Sequence, residues 1–238
     1  MQSDLDQIAQ KYSTYTDYDY WLNRAACKIL IPRLEGLKVL QMGCASGVIT
    51  EQLIKIVGEL HVVEGSSLYV QEMRDRFGSQ VQIEVSYFEE FSPDQTYDAI
   101  VLEGALHILK NPAQILQKAQ NWLTESGVLH ITVPHSLSFH RRLGVKMGIL
   151  QDPVTNSERG EFFAQQSHFT QANLTSLLVD NGWEIKEIFS YLIKPFSNQQ
   201  MQKLELPETA IDALFELGRE FPELANQIYV AVTRSFAP

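Results

Sequence analysis

An apolar strand, Val39-Leu40-Gln41-Met42, runs straight into a turn bracketed by Gly43 and Gly47. A second apolar strand ends on an acid, Glu64, twenty-one positions beyond Gly43. No other feature of the chain narrows its folding options as far. A turn with little side-chain bulk lets backbone amides approach a ligand closely. An acid at the tip of the next strand can accept hydrogen bonds from both hydroxyls of a ribose. Together they describe a nucleotide pocket, and the expected ligand is an adenosine-type cofactor. Spacing narrows the choice: a dinucleotide turn reads G-x-G-x-x-G, and its third glycine would fall at Val48.

The surrounding chain alternates in a way that suits such a pocket. Strands are expected over residues 39–42, 60–64, 81–85, 97–102 and 127–133, and helices over 48–57, 67–77 and 112–123. Ser66 or Ser67 can cap the second of these helices, and Asn111-Pro112 opens the third. Tyr97 to Leu102 is continuously apolar after Asp98, as in a strand covered on both faces. Strand–helix alternation of this kind calls for a parallel, doubly covered sheet. Further on, helices over 173–181 and 208–219 and strands over 183–193 and 227–234 are expected, with about thirty residues, 194–223, between the last two strands. An insertion of that length usually has a task such as lidding or oligomerisation.

The turn Gly43-x-Ala45-x-Gly47 resembles motif I of the class I S-adenosylmethionine-dependent methyltransferases, usually acid-x-G-x-G-x-G. Glu64-Gly65-Ser66 is similar to their motif II. Thr96-Tyr97-Asp98-Ala99-Ile100-Val101-Leu102 looks like their fourth strand, and Leu123-Thr124-Glu125-Ser126-Gly127-Val128-Leu129 like their approach to strand five. The resemblance covers roughly residues 36–134. It departs from the family at Gln41, where an acid is usual, at Ala45 in place of the middle glycine, and at Ser86, where an Asp often binds adenine.

The resemblance implies an α/β, Rossmann-like fold: a seven-stranded, mostly parallel sheet with an antiparallel last strand and helices on both faces. One domain is expected over 1–238, with an N-terminal helical cap (1–35), a cofactor-binding core (36–134), an acceptor-side insert (135–170) and a C-terminal sheet edge (171–238) that carries the helical insertion 194–223. The implied cofactor is S-adenosyl-L-methionine. Gly43, Cys44, Ala45 and Gly47 would pass its amino-acid portion and ribose, with Gln41 in the acid's place. Glu64 would hold the ribose hydroxyls, with Gly65 and Ser66 beside it. Ser86, Tyr87 and Phe88 would cover adenine, and Glu103 would face the methionine end. The aromatic run at the N-terminus suggests a cap, with Tyr12 and Tyr15 over the cofactor and Trp21 towards the acceptor.

Methyl transfer needs a nucleophile held in line with the methyl carbon and, for a hydroxyl or amine, a group that takes its proton. An imidazole titrates near working pH. His107, beyond strand four, and His135 and His140, after strand five, are the candidate bases, with His168 in a segment of less obvious placement. His61 and His130 fall inside strands and read as structural. Arg141 and Arg142 suit a carboxylate or phosphate on the acceptor.

Composition bounds the partners. A net charge of −10 with no Lys/Arg block disfavours nucleic acid. Two cysteines give no disulfide framework, and no metal-ligand spacing is visible. The first residues lack the pattern of a signal peptide, and no run is apolar enough to span a membrane, so a cytoplasmic setting without a membrane is expected. The function expected is methyl transfer to an oxygen or nitrogen of a small-molecule acceptor. The alternatives are a non-catalytic protein that binds the same cofactor and a nicotinamide-dependent oxidoreductase. The segment 194–201 reads as a second lid or as the surface of a homodimer.

Overall fold

The structure, a computed structural model, describes residues 4–235. Seven strands form one sheet: β1 (Lys38–Met42), β2 (Glu59–Glu64), β3 (Gln82–Val85), β4 (Tyr97–Glu103), β5 (Leu123–Pro134), β6 (Trp183–Tyr191) and β7 (Gln227–Arg234). Their order is β3-β2-β1-β4-β5-β7-β6. The neighbours from β3 to β5 run parallel, whereas β7 is antiparallel to both β5 and β6. The expected fold class therefore stands.

Successive strand residues enter opposite cores, as a pleated strand buried on both faces requires. Val39, Val62 and Val101 join one cluster with the helix α2 (Asp19–Leu34). Leu40, Val63 and Ile100 join the other with α5 (Pro112–Trp122) and α8 (Gln171–Asp180). The remaining helices are α1 (Asp4–Ala9), α3 (Val48–Leu53), α4 (Ser67–Phe77), α6 (Phe139–Lys146), α7 (Glu158–Phe162), α9 (Asn198–Lys203) and α10 (Glu208–Glu220).

Two expected boundaries are corrected. The helix expected to reach residue 57 stops at Leu53. The chain must turn back past Gly36, and Gly58 has no room for a side chain there: its Cβ would lie 2.7 Å from the Gly36 carbonyl oxygen. Strand five begins at Leu123 rather than at Gly127. A bulge makes this possible, since Tyr97 pairs with Leu123 whereas Ala99 pairs with Val128.

The insertion packs closely. A Cβ on Gly218 of α10 would meet the Leu192 nitrogen at 2.0 Å, so only glycine lets this helix lie against the chain leaving β6. No described helix is long and apolar enough to cross a membrane.

Candidate active site

The carboxyl ends of β1 to β6 and the start of β7 share one edge of the sheet, where open α/β sheets bind ligands. A cavity of about 820 Å³ opens along it, within the range of small-molecule sites.

One end of it is built on the turn after β1. Gly43 and Gly47 both take φ +82°, a left-handed conformation that glycine alone adopts freely. Ala45 takes φ +42° in the same turn, which costs a residue with a Cβ about 1–2 kcal/mol. Gln41 is 3% exposed and spans turn and helix: its Nε2 donates to the Gly43 carbonyl at 3.0 Å, and its Oε1 accepts from Thr50 Oγ1 at 2.9 Å. An amide can both donate and accept, so Gln41 braces the turn where an acid is usual.

Glu64 ends β2 and clamps the same turn. Its Oε2 accepts from the Cys44 and Ala45 amides at 3.0 and 3.3 Å, and its Oε1 accepts from the Ser66 amide at 2.9 Å. An ionised carboxylate offers about four lone-pair positions, so acceptor capacity remains on the side that lines the cavity. The Cys44 thiol is pushed well above its usual pKa by burial and then by Glu64, which keeps it in the un-ionised, poorly nucleophilic form.

The helix α1 covers this end. Asp6 accepts from Ser66 Oγ at 2.7 Å and from Ser67 Oγ at 3.2 Å, which latches α1 to the start of α4. Leu5 packs so closely on Gly65 that a Cβ there would lie 2.4 Å from Leu5 Cδ1. Tyr69 Oη donates to the Tyr12 carbonyl at 3.0 Å, and Tyr12 Oη donates to Asp19 at 2.6 Å. Tyr87 and Phe88 line the neighbouring wall. Ser86 Oγ donates to the Tyr87 carbonyl at 3.0 Å, which holds this segment together.

The other end of the cavity holds the titratable groups. Glu103 closes β4 and accepts from Asn23 Nδ2 at 3.3 Å; burial, reinforced by Asp19, raises its carboxyl to about 7. His107 lies in a 3-10 turn, Leu106–Ile108, and burial lowers its pKa to about 4; its Nδ1 is buried without a partner among the described residues. His135 Nδ1 lies 3.2 Å from the Ala225 carbonyl, and burial lowers its pKa. His140 Nδ1 lies 3.1 Å from Ser138 Oγ; burial, then Lys194 and Arg141, bring it down to about 2. All three imidazoles are therefore neutral at pH 7.

A charged network closes that end. Arg159 pairs with Asp17 at 3.0 Å and with Asp19, and its guanidinium stands 5.6 Å from the Tyr12 ring centre and 5.0 Å from that of Phe163. Asn198 donates to Asp17 at 2.8 Å and to Asp19 at 2.6 Å, and accepts from Lys194 Nζ at 2.5 Å.

Most of the residues expected from the sequence meet at this cavity: Gln41, Gly43, Cys44, Ala45, Glu64, Gly65, Ser86, Tyr87, Phe88, Glu103, Tyr12, His107, His135, His140 and Arg141 all line it. Five are placed elsewhere. Gly47 opens α3 and packs on Met73, with a Cβ position 2.3 Å from Met73 Sδ. Ser66 is buried as the cap of α4. Tyr15 lies outside the cavity on a small pocket and donates to Glu51 at 2.8 Å. Trp21 lies in the first turn of α2 and packs on the core. Arg142 is exposed, and its Nε donates to the Leu137 carbonyl at 2.6 Å, because one residue along a helix rotates the side chain away from Arg141's face. His61 and His130 are structural, 2.5 and 2.8 Å from the Tyr97 and Tyr229 hydroxyls.

The residues that sequence reasoning missed are Asp19, Arg159, Lys194 and Asn198. Arg159 carried no signal, being some 140 positions from Asp17 and Asp19 and joined to them only by the fold. Asn198 did carry one: Ser197-x-x-Gln200 is a capping box that places it at the start of α9.

A family model described as a methyltransferase domain matches residues 16–188. The chain is 28% identical over 139 residues to a highly reducing polyketide synthase, pkhB, of Emericella nidulans, covering 51% of this chain and 6% of that protein. It is 23% identical over 136 residues to a malonyl-[acyl-carrier protein] O-methyltransferase of Bacillus cereus, covering 54% of this chain and 50% of that one. The chain thus spans half the length of one relative and a small part of the other. An S-adenosylmethionine-dependent methyltransferase structure from Mesorhizobium loti superposes with TM-score 0.62 at 15% identity over 88% of this chain and 96% of that one, a likeness of fold.

Proposed function

The chain belongs to the methyltransferase domain family, and on that premise we propose that it transfers the methyl group of S-adenosyl-L-methionine to an oxygen or nitrogen of a small-molecule acceptor. One observation carries the reading: Glu64 clamps the Gly43–Ala45 turn at the carboxyl edge of the sheet and still faces a cavity of about 820 Å³. The lining suits the cofactor. It combines a turn without bulk, a carboxylate with acceptor capacity left, and the aromatic side chains Tyr87 and Phe88. When bound, the cofactor supplies an electrophilic methyl carbon on a sulfonium.

The chain's own residues do the rest. Gln41 and Glu64 hold the turn in shape, α1 covers the cofactor end, and Asp6 keeps α1 in place. On the acceptor side, His107 offers an unpartnered Nδ1 that can accept a hydrogen bond from an acceptor hydroxyl. Glu103, with its carboxyl near 7, is the group whose proton affinity best matches neutral pH. The Bacillus cereus relative's name places its methyl group on oxygen, which favours oxygen here. A nicotinamide reading is set aside by the family match. The acidic chain in a cytoplasmic setting, a small acceptor rather than nucleic acid, and pairing as a homodimer belong to the same proposal.

The test is calorimetric titration with S-adenosylmethionine and with its demethylated product, S-adenosylhomocysteine, using NAD as a control. Binding on the order of micromolar for the first two and none for NAD is expected. No binding of either would overturn the reading. If cofactor binds but His107→Ala turns over as the wild type does, the histidine has no part in proton removal, and Glu103→Gln is then the decisive variant.

A further inference from the structure

We propose that Lys194 is the receptor of an anionic group, carboxylate or phosphate, on the acceptor. The inference rests on the methyltransfer reading of this cavity and names its substrate class. Lys194 lines the cavity yet is only 6% exposed. An ammonium has three donors, and among the described residues the only hydrogen bond of the Lys194 ammonium is to Asn198 Oδ1, at 2.5 Å. No described carboxylate lies within ion-pair distance of it. The nearest candidates, Asp17 and Asp19, are engaged by Arg159 and by the Asn198 amide.

A buried ammonium with two donors unfilled is costly unless something completes it. Its charged neighbours are mixed: Asp19 and Asp17 act on it as negative charges and Arg159 and Arg141 as positive ones, while His140 is neutral. Both acids are taken up by Arg159 and Asn198, which leaves the donors of Lys194 and Arg141 to a ligand. Arg141 uses Nε and Nη2 on the Pro153 and Thr155 carbonyls, which fixes its guanidinium at the cavity wall. Two cations with capacity to spare, on one wall of an enclosed site, match a carboxylate or phosphate.

The cofactor carries a carboxylate of its own, so position matters. Lys194 follows β6 and lines the cavity with Arg141 and His140 close by, whereas the turn and Glu64 belong to β1 and β2. Through Asn198 and Asp19 it also connects to Tyr12. The acceptor's anion fits here because Arg141, the second cation, comes from the insert after β5, and titration of the S-adenosylhomocysteine-loaded protein separates it from the cofactor's own carboxylate.

The experiment titrates the protein loaded with S-adenosylhomocysteine, at constant ionic strength, with small dicarboxylates (malonate, succinate), with glycerol phosphate, and with the neutral diamides. One anionic series should bind at least about tenfold more tightly than the diamides, and Lys194→Gln should lose about that factor while its S-adenosylhomocysteine affinity stays within about twofold. A preference for dicarboxylates identifies a carboxylate, and a preference for glycerol phosphate identifies a phosphate. Equal binding of anions and diamides by the wild-type protein, a comparison that needs no variant, would overturn the proposal. So would unchanged anion affinity in Lys194→Gln. If the substitution weakened S-adenosylhomocysteine and spared the small anions, the ammonium would belong to the cofactor's carboxylate and the proposal would fall. If S-adenosylhomocysteine did not bind at all, the methyltransfer reading would fail, and the same anion titration of the unloaded protein would decide the subsite separately.

Discussion

Glu64 shows how one side chain can brace a turn and still line a cavity. Its carboxylate takes two amides of the glycine turn on one oxygen and the Ser66 amide on the other. Glu64→Gln removes the charge and turns an NH2 towards amides that need an acceptor. Each charge-assisted hydrogen bond contributes about 1.5–3 kcal/mol, so S-adenosylhomocysteine affinity should fall roughly a hundredfold by calorimetry. An unchanged affinity would show that Glu64 serves the turn alone. The placement of Glu64 beside the turn was legible in the sequence, because strand, turn and acid lie close together; its hold on the Cys44, Ala45 and Ser66 amides was not. The Arg159 pairing with Asp17 and Asp19 was not legible, because its members meet only after the sheet has formed. Arg141 and Arg142 were read as a pair, but consecutive helix positions point in different directions, and only Arg141 faces the cavity.

Among the elements, α1 is a short helix that covers one end of the cavity. At six residues it is far too short to persist in isolation, so it depends on docking. Asp6 provides that docking by accepting from Ser66 and Ser67 at the start of α4. Asp6→Ala should cost about 1 kcal/mol, as the loss of a cap does. By loosening the cover, it should also speed release of S-adenosylhomocysteine several-fold in stopped-flow measurements. Release at the wild-type rate would show that α1 does not gate this end. The cap was expected from the run of tyrosines, yet Tyr12 lines the cavity while Tyr15 and Trp21 do not. Aromatic character marked the segment, and the angle of each helix chose among its residues. The insertion 194–223 likewise announced itself by length alone. Only its packing, with Gly218 against the chain leaving β6, shows that it delivers Lys194 and Asn198 to the site.

For the molecule as a whole, burial of the histidines sets an acid limit. Burial lowers His107 and His130 to about 4 and His140 to about 2. The unfolded chain protonates the same imidazoles near 6.5. As pH falls below 6.5 the unfolded state takes up protons that the folded state refuses, so stability drops by about 1.4 kcal/mol per pH unit for each group. Glu103 acts in the opposite sense between 4.5 and 7, since its folded carboxyl holds a proton that the unfolded one has released. Three imidazoles outweigh one carboxyl. The urea midpoint should therefore be roughly 1 M lower at pH 5 than at pH 7, and an equal or higher midpoint at pH 5 would contradict the burial of these rings.

What the sequence determined by itself was the alternation of strands and helices, the doubly covered parallel sheet and the turn-and-acid pair at its carboxyl edge. These rest on interactions within a strand, a turn or one strand–helix unit, where residue order sets geometry directly. What the tertiary structure decided was the far end of the cavity: which arginine faces inward, which acids Arg159 holds, and that Lys194 is buried with donors to spare. Those contacts join the N-terminal segment, the insert after β5 and the chain after β6. Their partners lie more than a hundred residues apart, and only the closed sheet brings such distant charges within reach of one another.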